Sequence, residues 1–315
     1  MALETSPAES RRVRKQKAKP SSLGIGRRHN LLAYGMLAPA LIGLSIFVIW
    51  PLIRAIYLCF YEWNFYKSNR FVGWRNFTNV LKDDEFWNSV IRGFRFTCMV
   101  VPVMLIIAFI FGALARSVGA KLSGFLKAII YIPTVISGVV ASLVFQMIYQ
   151  YPGGIANWLV GVFGVEAQGW LADTKLALAA LTLPTIWVGI GLTALIMLSA
   201  MNDVPESYYE AAKLDGAGWF RQQRYITLPQ MKNIFLYLVV TGFTANMQAL
   251  EIPMVMTDGG PAKSTLVPNL YIFQHFRFDA TKGFSMAAAF ILFLVMGGIS
   301  ILIFRLLQSE KAVDV

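Results

Sequence analysis

Glu210 to Pro229 reads EAAKLDGAGWFRQQRYITLP, the longest polar interval in the second half of a 315-residue chain, with long apolar runs on both sides. The residues before it, NDVPESYY from Asn202 to Tyr209, carry the signals of a helix start. Asn202 or Asp203 is suited to cap it, and Pro205 suits its first turn, where a missing N–H leaves nothing unpaired. Glu206 and Glu210 lie one turn apart, at the favourable positive end of the helix dipole. Ala211 and Ala212 keep one side slim, and Asp215-Gly216 is the stop, with Gly216 free to adopt a left-handed cap. A second polar helical piece runs to about Thr227, and Pro229 opens the next apolar run. The expectation is a short helix, a turn and a second short helix, held outside the lipid between two membrane spans.

The flanking composition sets the fold class. The chain is 57% hydrophobic and 14% charged, where a soluble domain carries about a quarter charged residues. Apolar runs long enough to cross a bilayer as helices recur six times, at 31–58, 94–115, 122–149, 176–201, 231–256 and 284–307. The expected class is all-α, a polytopic membrane protein with six transmembrane helices; a β-barrel would show short alternating strands instead. The expected organisation is a basic cytoplasmic tail over 1–29, a transmembrane domain over 30–310 containing the loop 202–230, and a short tail over 311–315. Polar loops of this size do not support a soluble catalytic domain.

The net charge of +11 belongs largely to topology. Arg11, Arg12, Arg14, Lys15, Lys17, Lys19, Arg27 and Arg28 precede the first span, which places the N-terminus in the cytoplasm. Six crossings then put the C-terminus and the 202–230 loop on the same side. The basic tail also has the chemistry to lie on anionic lipid, whereas no base-reading or aromatic pattern accompanies it, so nucleic acid is not an expected partner. Cys59 and Cys98 form no CxxC pair, and His29 and His275 stand alone, so no metal centre is expected.

Glu210-Ala211-Ala212, Asp215-Gly216-Ala217 and Ile226-x-Leu228-Pro229 together resemble the cytoplasmic loop of the permease subunits of binding-protein-dependent ABC importers. One departure is Gln223, where that family usually carries Phe. Two further strings are similar to the same family. Gly73-x-x-Asn76-Phe77-x-x-Val80 precedes the core spans, and Thr257-x-Gly259-Gly260-Pro261 with Thr265 follows span 5, as in the first permease subunit of maltose- and glycerol-phosphate-type transporters. The resemblance implies the type I importer permease fold. It also implies a coupling helix, carried by Glu210, Ala211, Ala212, Asp215, Gly216 and Ala217, that docks on an ATP-hydrolysing subunit.

The implied partners are a second related permease, two copies of a cytoplasmic ATPase, an extracytoplasmic solute-binding protein, and a carbohydrate cargo. No cofactor is expected in this chain, since ATP and magnesium would bind the ATPase. The implied location is the cytoplasmic (inner) membrane.

The remaining polar groups are weighed on their chemistry. Asp258 to Thr265, DGGPAKST, looks like a phosphate loop, but Ala262 stands where Gly should precede the Lys and Pro261 lacks an N–H. Glu251, with Asn246 and Gln248 near it, is the main ionisable candidate inside a span. Gln248 and Glu251 are three apart and are expected to share a helix face. With Trp187 as an aromatic candidate, they offer the amide, carboxylate and ring that sugar hydroxyls and pyranose faces need. The alternative for each is a bond to a neighbouring helix. Arg92 and Arg95, also three apart, either attract an anionic sugar or glycerophosphate or pair with Asp83, Asp84 or Glu85. An ion-driven secondary transporter is the rival function; an intramembrane enzyme would need clustered His, Asp or Ser-Lys groups that the spans do not show.

Overall fold

The computed structural model describes residues 27–65 and 69–307, so the expectations for the basic tail up to residue 26, for Tyr66 and for the final eight residues lie outside the described residues. The chain divides into two compact units, Met1–Arg54 and Ala55–Val315. In the first, helix α1 (Arg27–Leu44) runs through Pro39 into a π-helical turn, Ser45–Ile49. Helix α2 (Trp50–Leu58) begins there and ends in the second unit. Residues Tyr34–Leu58 are long and apolar enough to cross a membrane.

The second unit opens with a short antiparallel pair, β1 (Tyr61–Glu62) and β2 (Arg70–Phe71), with Tyr61 opposite Phe71. Helix α3 (Arg75–Leu81) leads into α4 (Asp84–Ser117), 34 residues long. The Asp83 side chain caps α4 by accepting from the Glu85 N–H at 2.8 Å, so this helix starts about ten residues before the apolar run that marks it in the sequence. Next come α5 (Ala120–Val135), α6 (Gly138–Ile148), α7 (Ile155–Val162), α8 (Ala177–Ala180) and α9 (Thr182–Asn202). Then follow α10 (Glu206–Leu214), α11 (Trp219–Gln222), a π-helical stretch Gln223–Thr227, and α12 (Leu228–Gln230). Last are α13 (Lys232–Met247), α14 (Glu251–Met256), α15 (Pro268–Phe278) and α16 (Gly283–Leu307).

The core forms where α4 packs along α9. Phe96, Val100, Met104 and Ala108 of α4 recur every fourth residue and are buried, as are Ile190, Ala194, Met197 and Met201 of α9. That spacing is one stripe of an α-helix. α5 covers another side of α9, α13 lies on α4, and α16 packs against α13 and α3. Small residues set the closest approaches. Gly191 of α9 faces the α5 backbone, where an added Cβ would fall 2.6 Å from the Ile130 carbonyl oxygen and onto the Thr134 hydroxyl.

The six-span reading holds in outline: among the described residues five helices are long and apolar enough to cross a membrane, and a bent pair brings the number to six. Three details differ. Span 3 is not one rod, because α5 and α6 meet at 96°. Pro133 lies in the last turn of α5, Ile136 and Ser137 are extended, and the Ser137 hydroxyl oxygen accepts from the Val140 N–H to restart the helix. Span 4 is not one helix from 176: α8 and α9 join at Leu181, and Pro184 sits in the first turn of α9. Span 5 is interrupted between Met247 and Glu251, so Gln248 and Glu251 do not share one helix face.

Gly191→Val is expected to destabilise the bundle by about 1–3 kcal/mol through overpacking. The check is a melting temperature in detergent several degrees below wild type; an unchanged value would mean α5 and α9 part freely.

Candidate functional site: a polar elbow and a cavity within the bundle

The elbow between α9 and α13 forms largely as its residues dictate. α10 ends in a Schellman turn: Gly216 has φ +74°, the Gly216 N–H donates to the Lys213 carbonyl at 3.0 Å, and the Ala217 N–H donates to Ala212 at 2.8 Å. Its start differs from expectation. Asn202 is the last residue of α9 and Asp203 its C-cap, so neither caps α10; the extended Pro205 precedes the helix without a side-chain cap. Glu210, Ala211 and Asp215 face solvent, and Ala212 and Ala217 are half-buried. Leu214 is 90% exposed and Phe220 71%, two apolar side chains at the turn that nothing among the described residues covers.

One cation ties the elbow to the bundle. Arg116, in the last turn of α4, donates from Nη1 to the Met201 carbonyl at 2.7 Å and pairs through Nη2 with Glu206 at 3.0 Å. Its guanidinium lies 4.5 Å over the centroid of the Tyr209 ring. The buried Tyr209 hydroxyl meets Thr227 Oγ1 at 2.9 Å, in the π-helical stretch. Gln222 donates to the Ala217 carbonyl at 2.8 Å. A pocket of 250 Å3 remains there, and Gln223 lines it with a buried amide oxygen that has no hydrogen-bond partner among the described residues. An aromatic ring at that position would leave no such oxygen.

The second feature is a cavity of 610 Å3 walled by α4, α6, α9, α13 and α14. Three of the four residues singled out for a substrate pathway line it: Asn246, Gln248 and Glu251. Thr185, Thr193, Tyr237 and Thr241 add hydroxyls. Asn246 is buried and donates to the Gly242 carbonyl at 2.8 Å, so part of its bonding capacity is spent within α13. The Gln248 carbonyl accepts from Asn269 at 2.8 Å, fixing the interruption while its side chain stays exposed. Glu251 opens α14, and its carboxylate lies against the backbone of Gly138, where α6 begins. Trp187 is not in the lining; it packs edge-on against Phe145, with ring centroids 5.7 Å apart.

Arg92 takes the pairing alternative. It bonds Glu85 at 2.6 Å, and Lys263 reaches the other oxygen of Glu85 at 3.3 Å. Arg95 is exposed on α4 and lies outside the cavity. The DGGPAKST segment is a self-tied turn: Gly259 has φ +86°, and the Thr265 hydroxyl, fully buried, donates to the Gly260 carbonyl at 2.7 Å. Arg116, Tyr209 and Thr227 carry no local motif that marks them in the sequence. The signal that would have found them is the pairing of a lone cation at a span's end with an aromatic in the adjacent polar loop.

Membrane-length helices around an open cavity, with a polar elbow between two spans, are what a permease requires. A family model described as "Binding-protein-dependent transport system inner membrane component" matches residues 81–312. The chain belongs to that family, and is a membrane component of a binding-protein-dependent transport system. Its relatives include the lactose transport system permease protein LacF of Rhizobium radiobacter, 27% identical over 93% of this chain and 100% of that protein. Another is the sulfoquinovosyl glycerol transport system permease protein SmoG of Agrobacterium fabrum, 30% identical over 91% and 93%. A crystal structure of a bacterial ABC transporter involved in the import of the acidic polysaccharide alginate shares the fold, with TM-score 0.77 and 18% identity over 90% of this chain and 97% of that one. The type I importer permease fold is thereby established.

Arg116→Gln is expected to lower stability by about 1–3 kcal/mol, since it leaves a main-chain carbonyl and a carboxylate without their charged donor. Glu206→Gln is expected to cost under about 1 kcal/mol, because Glu206 is 62% exposed. Thermal melts of the two variants separate these outcomes; equal losses would mean that the ion pair, not the carbonyl and ring contacts, holds the elbow.

Proposed function

We propose that this chain is one permease subunit of an ATP-driven carbohydrate importer of the cytoplasmic membrane. It works with a second related permease, two copies of a cytoplasmic ATPase and an extracytoplasmic solute-binding protein. Support for the carbohydrate cargo comes from the sugar systems named among its relatives. The ATPase subunits bind ATP and magnesium; this chain holds neither and contributes motion. In this reading α10 faces the cytoplasm, as do both termini.

The observation that carries the reading is the elbow. Leu214 and Phe220 stand uncovered beside a rigid left-handed turn at Gly216, as an apolar anchor for a groove on a partner requires. The same elbow is bonded through Arg116 to the ends of α4 and α9. A push on α10 therefore reaches the two helices that form the core. Closure of the ATPase dimer moves α10, the bundle switches between inward-open and outward-open packing, and cargo delivered by the binding protein enters the cavity. Such a cycle needs two packed states a few kcal/mol apart, biased by nucleotide and cargo.

Leu214→Glu and Gly216→Val are expected to abolish co-purification of the ATPase while membrane insertion persists. Retained co-purification and transport in both would remove the docking role. Gln248→Ala is expected to raise the apparent KM for uptake about five- to tenfold, the loss of a hydrogen bond worth about 1 kcal/mol or slightly more. Uptake that survives a protonophore but stops on ATP depletion distinguishes this importer from an ion-driven transporter.

A further inference from the structure

The polar groups that line the cavity show a bias in charge. Among the described lining residues one side chain is a carboxylate, Glu251, and none is Lys, Arg or His. The other polar lining groups are hydroxyls and the amides of Asn246 and Gln248. The rest of the wall is apolar, with Val100, Met104, Val188 and Leu192 among it. The basic residues weighed for the cargo are committed elsewhere or lie outside: Arg92 and Lys263 share Glu85, and Arg95 is not in the lining.

The two cargo chemistries fare differently in such a space. A carboxylate accepts hydrogen bonds and donates none, so Glu251 suits sugar hydroxyls, each a donor. A carboxylate, sulfate or phosphate on the cargo is also an acceptor. It would meet a like charge across an apolar wall with no cation to pair, and burying an unpaired charge is among the costliest steps available. We propose that this cavity passes uncharged or amine-bearing glycosides and rejects anionic ones. The inference rests on the reading of the cavity as the cargo route. It differs from the cargo of the fold neighbour, an acidic polysaccharide, and from the sulfonated glycoside in the name of SmoG; at 18% and 30% identity neither likeness carries the cargo's charge to this chain.

The test needs no knowledge of the natural cargo. In membrane vesicles carrying the whole importer, exposed Cys98 is replaced by Ser, buried Cys59 is left, and Ala245, a lining residue, is replaced by Cys. Modification rates are measured with an anionic sulfonatoethyl methanethiosulfonate, a cationic trimethylammonioethyl methanethiosulfonate and a neutral glucosyl methanethiosulfonate, each relative to a free thiol in solution. The expected result is ready reaction with the neutral sugar reagent and a cationic-to-anionic rate ratio of about tenfold or more, the scale of charge focusing in a cleft. That ratio is expected to fall towards unity in Glu251→Gln. Reaction of the anionic reagent as fast as the cationic one, with the sugar reagent also reacting, overturns the charge rule while the cargo route stands. An unchanged ratio in Glu251→Gln also overturns it, since Glu251 would not be the source. Exclusion of all three reagents removes the cargo route itself, and the charge rule with it.

Discussion

A peptide group in hydrocarbon has no water to bond, so the backbone can leave the helix only where protein or a water-filled space satisfies it. That constraint places the working parts of this molecule. Among the described residues the backbone leaves helical conformation within a span at Ile136–Ser137 and at Gln248–Leu250. They do not lie apart. The helix that restarts after the first, α6, packs on the helix that restarts after the second, α14, and Gly138 at the start of one touches Glu251 at the start of the other. Both residues line the same cavity. The freed backbone is met by named partners: the Ser137 hydroxyl takes the Val140 N–H, and Asn269 donates to the Gln248 carbonyl. The cavity exists where the spans break, and they break where local partners make that affordable.

The elbow obeys the same rule from the other direction. It lies between spans, its backbone turns at Gly216, and its irregular π-helical stretch is held by side chains. Arg116 serves here because one guanidinium presents several donors in a fixed plane and also stacks on a ring. It uses a carbonyl of α9, a carboxylate of α10 and the face of Tyr209 at once. A lysine has the charge but not the fork. The stiff joint is thus between α10 and the α4–α9 core, and the uncovered apolar side chains, Leu214 and Phe220, lie beyond it.

Most of the architecture was legible because it follows from length, hydropathy and short-range stereochemistry. The apolar runs fixed the spans, Asp215-Gly216 fixed the stop of α10, and Glu251 stood out as a charge inside a span. What was missed depends on partners distant in the chain. Span 3 was read through its bend because Pro133 and Gly138 also suit straight, closely packed membrane helices; the decision rests on the Ser137 cap and on α14 receiving α6. The shared helix face of Gln248 and Glu251 assumed an unbroken α13, yet the two still reach one cavity, since the interruption turns both towards it. Trp187 had the right chemistry and the wrong face, packing on Phe145 instead. The capping role given to Asn202 and Asp203 failed because α9 continues through Asn202, so the polar residues end one helix rather than begin the next.

These placements separate two tasks along one protein. Charges cluster away from the cavity. Arg92 and Lys263 share the one carboxylate of Glu85 where α4 meets the turn after α14, and Arg116 pairs with Glu206 at the elbow. Each network holds elements together. Between them the cavity keeps one carboxylate among hydroxyls, amides and aliphatic side chains. A bundle that must repack around its cargo gains from this division. The 2.6 Å Arg92–Glu85 pair and the combined carbonyl, carboxylate and ring contacts of Arg116 resist displacement, so placing them at the ends makes the joints stiff. A weakly bonded, nearly uncharged interior lets the cargo leave when the packing changes. Tight binding by fixed cations would instead hold the cargo equally in both states, and a ligand with no preference between two states shifts neither.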